Sequence, residues 1–234
     1  MVALALDLAL ISGTPRLQGR PSKSLDFNQA EALLAAAEGT PLHAYIVVSL
    51  LTGARTEELR ALTWSHVDLI GDLSNHIPPS MMVWHSVRAT GDTKTRKSRR
   101  TLELPQRCAV ALGRHRETQD KIREDTSATW RDNDLVFCTL VGTALDAANV
   151  RRAFRRVTKA AGLDPADWTP RELRHSFVSL MSDAGVPIER ISRLVGHSDT
   201  TTTETIYRHQ IRPVIQGGAE VMDELFPKRE APDA

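Results

Sequence analysis

The sequence predicts a mixed α+β fold that is mostly helical and contains one small antiparallel β-sheet. Two observations lead to this prediction. In several segments, apolar residues recur at spacings of three and four between capping residues and glycines, which is the pattern of amphipathic helices. Residues 81–104 instead contain two short segments rich in β-forming residues on either side of a basic turn, which is the pattern of a β-hairpin.

Composition places the chain among soluble globular proteins. Its 234 residues allow one or two domains, and contents of 41% hydrophobic and 25% charged residues are ordinary for that class. Because the net charge is +1, composition alone does not indicate a nucleic-acid-binding protein, and any basic surface must be local. Cys108 and Cys138 have neither metal-ligand nor redox spacing, which predicts reduced thiols in a cytoplasmic protein.

The N-terminal residues 1–24 are predicted to be a leader and a linker. Residues 1–11 are apolar but too short to span a bilayer, which takes about 20 residues, and they lack the basic start of a signal peptide. Residues 12–24 are rich in glycine, proline, serine and basic side chains without periodicity, which is linker composition. We expect the folded domain to comprise residues 25–234.

Three helices are predicted at the start of this domain. The capping pair of Asp26 with Gln29 opens the first. The second runs from Pro41 to about Thr52, and Gly53 separates it from a third that continues towards residue 64. The third helix begins near an arginine and a glutamate that return below as site candidates.

A β-hairpin is predicted next, with strands at residues 81–87 and 101–104. The turn between them is strongly basic. Two interpretations fit such a turn: a solvated hairpin tip, or an electrostatic grip on a DNA backbone. Its cations are Lys94, Arg96, Lys97, Arg99 and Arg100.

The middle of the chain predicts two more helices. Pro105 opens the first, which runs through Ile122, and residues 135–137 form a short apolar run that is strand or extended chain. Asp146 caps the second, which continues to Ala161. Cations at spacings of three and four give this helix a basic face, which is either a solvated surface or a phosphate-contacting one. They are Arg151, Arg152, Arg155, Arg156 and Lys159.

Residues 169–209 combine side chains that suit chemistry on a phosphodiester. A capping box, Thr169 with Glu172, opens a helix that places Arg174 in its first turns, and a second helix ends at Gly196. His197 and Tyr207 follow. An arginine binds phosphate through its planar fork, and a tyrosine is a nucleophile only beside groups that stabilise negative charge. A lone histidine or tyrosine is otherwise more often structural than catalytic.

Three motifs resemble those of the tyrosine recombinases, the phage-integrase family. LLTGARTEEL around Arg55 resembles the first motif, and TKTRKSRRTLELP resembles the family's β-hairpin. RELRH around Arg174, followed by LVGH and a tyrosine, resembles the C-terminal motifs. Two departures occur: Arg171 stands where the family usually has histidine, and Tyr207 lies ten residues after His197, one more than usual.

The resemblance implies a role for each matching residue. Tyr207 would attack the scissile phosphate, and Lys94 would protonate the leaving oxygen as a general acid. Charge on the phosphoryl oxygens would be stabilised by Arg55, Arg174 and His197, with Glu58 supporting Arg55 from one turn away. Arg171 would act as a charge stabiliser, since a guanidinium cannot accept the proton of the tyrosine. A phosphotyrosyl link conserves the phosphodiester energy, so no metal or other cofactor is expected.

The function implied is that of a site-specific recombinase or integrase, similar to integrases of actinobacterial mobile elements. Its partners would be double-stranded DNA attachment sites, other copies of the chain in a homotetramer on DNA, and an accessory directionality factor. A C-terminal tail helix would follow Tyr207, and the N-terminal DNA-binding domain usual in the family would be largely absent. Two alternatives keep the same fold: a type IB topoisomerase-like relaxing enzyme and a DNA-binding remnant without turnover.

Overall fold

A computed structural model describes residues 23–84, 86–87 and 99–196. In these ranges the chain forms seven α-helices and three β-strands. The helices are α1 (Phe27–Ala37), α2 (His43–Thr52), α3 (Thr56–Leu59), α4 (Gln106–Asp125), α5 (Ala147–Ala160), α6 (Pro170–Asp183) and α7 (Ile188–Val195). The strands are β1 (Val67–Asp68), β2 (Ser80–Val83) and β3 (Arg100–Glu103), and short 3-10 turns occupy Trp64–His66 and Leu73–Asn75. The predicted mixed, mostly helical fold is confirmed.

Helix starts follow their capping residues. At α1, the amide of Gln29 donates to the Asp26 carboxylate at 2.8 Å, and the amide of Asp26 donates to the Gln29 side chain at 3.1 Å. Asp146 caps α5 in the same way, accepting from the amide of Ala148 at 2.7 Å. These bonds satisfy amides that have no partner within the helix, so each start is fixed by sequence.

Helix α3 is shorter than the sequence analysis expected. The prediction continued it towards residue 64, but it ends at Leu59. Beyond that point the amides of Ala61 and Leu62 bond to carbonyls only three residues back, which is the tighter pattern of a helix end. The result is a single turn, whose first residues carry the acidic and basic side chains of the candidate site.

The sheet is antiparallel, in the order β1-β2-β3. Met81 faces Leu102 across the predicted hairpin, and both side chains are buried. β2 ends at Val83, earlier than predicted, because the chain then leaves the sheet and the amide of Val87 bonds to the carbonyl of Glu57 at 3.3 Å. Two-residue β1 was not predicted, since so short a segment has no recognisable alternation.

The core is built around α2, whose side chains are almost all buried. This helix packs against α4 and α6, while α1 packs against α5. Gly53 ends α2 with φ of +65°, and a Cβ there would lie 2.5 Å from the ring of Phe177 in α6. A glycine is therefore required at this turn both for its backbone conformation and for the close approach of α6. The turn brings the start of α3 beside α6.

Both cysteines are free thiols, as predicted, and Cys108 is buried in the core. In the part of the chain that the structure describes, no helix has the length and apolar character needed to cross a bilayer.

Candidate active site

Arg55 lies at the start of α3, directly after the turn that ends α2. Its guanidinium donates from Nη1 to Oε1 of Glu58 at 2.7 Å, and its own backbone amide donates to Oε2 of the same carboxylate at 2.7 Å. Nη2 points to the carbonyl of Gly196 at 3.4 Å. The side chain of Arg55 remains 29% exposed. Glu58 therefore fixes one side of the guanidinium while the other side stays accessible to solvent.

Glu58 is the buried acid at the centre of this arrangement, with only 3% of its side chain exposed. Besides Arg55 it binds Arg100, whose Nη1 and Nη2 lie 3.1 and 2.9 Å from its two carboxylate oxygens. Burial alone raises the pKa of Glu58, but the charges of Arg100 and Arg55 outweigh it and hold the pKa at about 2. Glu58 is therefore ionised at physiological pH.

Arg174 projects from the first turns of α6 into the same region and is only 9% exposed. Its Nη1 donates to the carbonyl of Gly53 at 2.7 Å, and its Nη2 donates to the carbonyl of Val195. It thus ties the end of α2 to the end of α7. The structure brings Arg55 and Arg174 into one cluster although they are far apart in sequence.

The C-terminal end of α7 gathers all three arginines. Three successive carbonyls accept from them: that of Leu194 from Nε of Arg100 at 2.8 Å, and those of Val195 and Gly196 from Arg174 and Arg55. A helix C-terminus carries partial negative charge on carbonyls that have no partner within the helix, so cations are stable there. Gly196 ends α7 with φ of +65°, and residue 197 follows directly.

The cluster carries net positive charge in a mostly buried setting. Three guanidiniums, from Arg55, Arg100 and Arg174, meet at the carbonyls that end α7. Those of Arg55 and Arg100 also pair with the carboxylate of Glu58, which leaves a net positive charge among these four side chains. Such preorganised cations stabilise negative charge on phosphoryl oxygens far better than the same groups in water would. The arrangement is therefore suited to holding a phosphodiester.

Arg100 does not occupy the place that the sequence analysis gave it. We assigned it to the DNA-contacting turn, but only 8% of its side chain is exposed and its guanidinium is engaged by Glu58 and Leu194. Strand alternation explains this, because residues 100 and 102 of β3 point to the same face and Leu102 is buried. Arg99, its neighbour in sequence, is exposed.

Arg171 lies on the first turn of α6 and is exposed. Its charge reaches His175, the buried residue one turn later, which the sequence analysis left unassigned. Burial, and then the positive charge of Arg171, lower the pKa of His175 to about 4. His175 is consequently neutral at physiological pH. In the sequence, the only sign that His175 lies near the candidate site is its position directly after Arg174.

The basic face of α5 is on the surface, as its spacing indicated. Its five cations are exposed, while Val150, Phe154 and Val157 bury the opposite side of the helix. The exposed members are Arg151, Arg152, Arg155, Arg156 and Lys159. Exposure is compatible with both interpretations given above, a solvated face and a phosphate-contacting one.

Tyr45 is unsuited to be a nucleophile. It is one of only two tyrosines in the chain. Its ring is fully buried against Phe137, its hydroxyl donates to the carbonyl of Thr56 at 3.3 Å, and burial raises its pKa well above the ordinary value of about 10. If a tyrosine of this chain attacks a phosphate, it is therefore Tyr207.

Several predicted site residues lie outside the described residues: Lys94, Arg96, Lys97, His197 and Tyr207. An apolar cavity of about 620 Å³ lies elsewhere, between α1, α2 and α5, and Leu42, Tyr45 and Phe137 are among the residues that line it. This cavity is not lined by any of the four residues of the charged cluster, which are Arg55, Glu58, Arg100 and Arg174. The candidate site is the arginine cluster at the end of α7.

Comparisons with known proteins point in one direction. The sequence model of the phage integrase family matches residues 23–212. An integrase of Streptomyces ambofaciens is 63% identical over 216 residues, which cover 91% of this chain and 56% of that protein. A XerC-like tyrosine recombinase of Caldanaerobacter subterraneus is 25% identical over 230 residues, or 93% of this chain and 58% of that protein. The chain thus spans little more than half the length of these relatives.

Solved structures share the fold. XerA recombinase matches with a TM-score of 0.64 and 25% identity over 90% of this chain and 67% of that chain. The Tn1549 transposon integrase, solved in complex with transposon right end DNA, matches with a TM-score of 0.68 and 21% identity over 89% of this chain and 67% of that chain.

Proposed function

The chain belongs to the phage integrase family, and we propose that it is the catalytic part of a site-specific tyrosine recombinase that cuts and rejoins DNA. The observation that carries the proposal is the cluster of Arg55, Arg174 and Glu58 at the end of α7, immediately before His197. The cluster is a preorganised cationic site at the last described residues, and in sequence the stretch that leads to Tyr207 begins directly after them. The integrase of Streptomyces ambofaciens, with its 63% identity, supports the same assignment.

The proposed reaction is a transesterification. The phenolic oxygen of Tyr207 loses its proton to solvent and attacks the scissile phosphorus, forming a 3′-phosphotyrosyl bond while the bond from phosphorus to the 5′ oxygen breaks. Lys94 gives its proton to that leaving oxygen, which departs as a 5′-hydroxyl. Attack by a 5′-hydroxyl of a second DNA strand reverses the step and releases Tyr207. One phosphodiester bond is exchanged for another, so no step requires the hydrolysis of a nucleoside triphosphate.

The arginines act by electrostatic preorganisation. Because Glu58 and the carbonyls at the end of α7 already fix the guanidiniums, little reorganisation remains when negative charge develops on the phosphoryl oxygens. Arg55 is the more exposed of the two motif arginines, which leaves part of its five-donor fork open to the DNA. Arg171 adds positive charge at the edge of the site. His197 also stabilises the charge on the phosphoryl oxygens.

Binding to duplex DNA is proposed to use the basic residues outside the cluster. Those of the hairpin are Arg96, Lys97 and Arg99, and those of α5 are Arg151, Arg152 and Arg155. The Tn1549 integrase, which was solved in complex with transposon right end DNA, supports DNA as the partner. We further propose a homotetramer on paired attachment sites, an accessory directionality factor, and action in the cytoplasm, where a bacterial chromosome is accessible.

Trapping on a nicked suicide duplex separates recombination from its alternatives. The probe carries the attachment junction of the mobile element that encodes the chain, with a nick that lets the cleaved 5′ fragment diffuse away. A covalent adduct on this probe, together with joined products when two intact sites are supplied instead, supports a recombinase. Relaxation of plasmid DNA without joining supports a topoisomerase-like activity, and binding without adduct supports an inert remnant. The recombinase names of the relatives favour the first outcome.

Lys94→Ala is expected to cripple cleavage of ordinary DNA but not of DNA with a 5′-bridging phosphorothiolate. A general acid is needed only while the leaving group is poor, and sulfur leaves without a proton. Lys97→Ala is the control, since a residue that only binds backbone gives equal defects on both substrates. The measurement is adduct formation on the two substrates. Equal defects of Lys94→Ala on both would show that Lys94 only contacts the DNA backbone.

Arg171→His is expected to remain active at low pH and to lose activity as the pH rises through the histidine pKa of about 6.5. The reason is that Arg171 contributes positive charge, which an imidazole supplies only when protonated. The rate of adduct formation between pH 5.5 and 8 is the measurement, with the exposed Arg190→His of α7 as control. A pH profile that stays parental would show that the charge at position 171 is not used.

A further inference from the structure

The side chain of Arg100 is buried, and its three nitrogens each bond to an acceptor inside the protein. Its Nη1 and Nη2 bind the two oxygens of Glu58 at 3.1 and 2.9 Å, and its Nε donates to the carbonyl of Leu194 at 2.8 Å. Only 8% of its side chain is exposed. A planar guanidinium is the one side chain that spans a carboxylate bidentately while also reaching a third acceptor.

The carboxylate that Arg100 grips is the one that holds Arg55. Oε1 of Glu58 accepts from Nη1 of both arginines, and Oε2 accepts from Nη2 of Arg100 and the backbone amide of Arg55. Arg55 and Arg100 together thus fix the rotation of the Glu58 carboxylate about the bond that joins it to the side chain. If Arg100 is removed or shortened, Glu58 gains freedom to turn, and the direction of the Arg55 guanidinium changes with it.

Arg100 also abuts the end of α7. A Cβ built on Gly196 would lie 3.1 Å from Nη1 of Arg100, so the missing side chain of this glycine makes room for the guanidinium. β3, which carries Arg100 as its first residue, therefore connects to α3 through Glu58 and to α7 through Leu194. Residue 100 directly follows the basic hairpin turn in sequence, and residue 197 directly follows α7.

We propose that Arg100 is a positioning residue for DNA cleavage, which aims the guanidinium of Arg55 through Glu58 and fixes the end of α7 relative to the hairpin. This inference rests on the proposed recombinase function and adds to it a residue that does not touch the DNA. A buried ion pair that served stability alone would have no reason to share both oxygens with a phosphate-binding arginine. Arg100 thereby links the strand that follows the turn of Lys94 to the phosphate-binding cluster.

The first test replaces Arg100 with lysine, which keeps the charge but not the fork. At saturating concentrations of the nicked suicide duplex, Arg100→Lys is expected to form adduct about 10- to 100-fold more slowly, by analogy with the loss of side chains that orient metal ligands. The dissociation constant for DNA should stay parental. Arg107→Lys is the matched control, because Arg107 pairs with Glu31 at 2.9 Å on the surface. A parental cleavage rate for Arg100→Lys would overturn the proposal.

A second test separates positioning from DNA contact. Losing one phosphate contact lowers the slope of log affinity against log salt by about 1. Arg99→Gln is expected to lower that slope, and Arg100→Gln is expected to leave it unchanged while slowing cleavage. The reverse pattern, with a smaller slope for Arg100→Gln and a parental rate at saturation, would make Arg100 a DNA contact and overturn the proposal. If Arg100→Gln does not fold, the lysine variant supplies the decision.

A double-mutant cycle tests the route through Glu58. If Arg100 acts on Arg55 through this carboxylate, combining Glu58→Gln with Arg100→Lys slows cleavage no further than the slower single variant does. Effects that multiply would show independent roles and contradict the proposed route.

One measurement tests the positioning role of Arg100 independently of the proposed recombinase function. If the parental protein forms no adduct, the recombinase assignment fails, but the side-chain Nε–H resonance of Arg55 in DNA-free protein still reports its environment. Arg100→Lys is expected to shift that resonance and Arg107→Lys is not. An unshifted resonance in folded Arg100→Lys protein would show that Arg100 does not position Arg55.

Discussion

Arg174→Ala and Arg55→Ala are each expected to slow formation of the covalent adduct by an amount that corresponds to about 2 to 4 kcal/mol of lost transition-state stabilisation. Each variant removes a fixed donor from the place where phosphoryl charge develops. The measurement is the single-turnover rate at saturating nicked duplex, so that weaker DNA binding does not enter. Arg190→Ala, on the exposed side of α7, controls for the loss of one positive charge. A parental rate for either motif arginine would make it structural and move the phosphate site elsewhere.

The two arginine variants should differ in stability. Arg174 is 9% exposed and donates to the carbonyls of Gly53 and Val195, so its removal withdraws a buried donor from both. A buried acceptor left without a partner costs about 1 to 3 kcal/mol. Arg55 is 29% exposed and its loss leaves Glu58 paired with Arg100. Thermal unfolding of the two variants is therefore expected to show the larger destabilisation for Arg174→Ala.

Local structure was predictable wherever short-range chemistry decides it. The capping pair at Asp26 and the cap at Asp146 mark helix starts that the structure confirms. Gly53 and Gly196 mark helix ends, because both adopt the left-handed conformation that glycine favours. The limits of α3 and β2 were wrong, since tertiary hydrogen bonds, such as that from Val87 to Glu57, end those elements.

The charged cluster was only partly predictable. Three-residue spacing is enough to place Glu58 beside Arg55. That Arg174 reaches the carbonyl of Val195, and that Arg100 turns inward to Glu58, are properties of the packing of α6, α7 and β3. A run of cations in a hairpin does not reveal which of them faces the interior. The sequence analysis treated the whole run as surface, whereas the side chain of Arg100 is buried.

Tyr207→Phe is expected to abolish the covalent adduct while folding and DNA binding stay nearly parental. Only the hydroxyl is lost, and the nucleophile is that oxygen. Tyr45→Phe is the matched control: it removes the hydroxyl of the only other tyrosine, which lies buried beside Phe137. The Tyr45 variant should form adduct and lose at most the free energy of one hydrogen bond to Thr56, about 0.5 to 1.5 kcal/mol of unfolding.

The most direct test of the central claim is to map the covalent bond itself. The parental protein is incubated with the nicked suicide duplex, the adduct is digested with protease and nuclease, and the nucleotide-bearing peptide is sequenced by mass spectrometry. We expect a 3′-nucleotide phosphate on Tyr207, the residue that directly follows the stretch HSDTTTTETI. A nucleotide on any other residue, or an adduct that persists in Tyr207→Phe, would contradict this expectation.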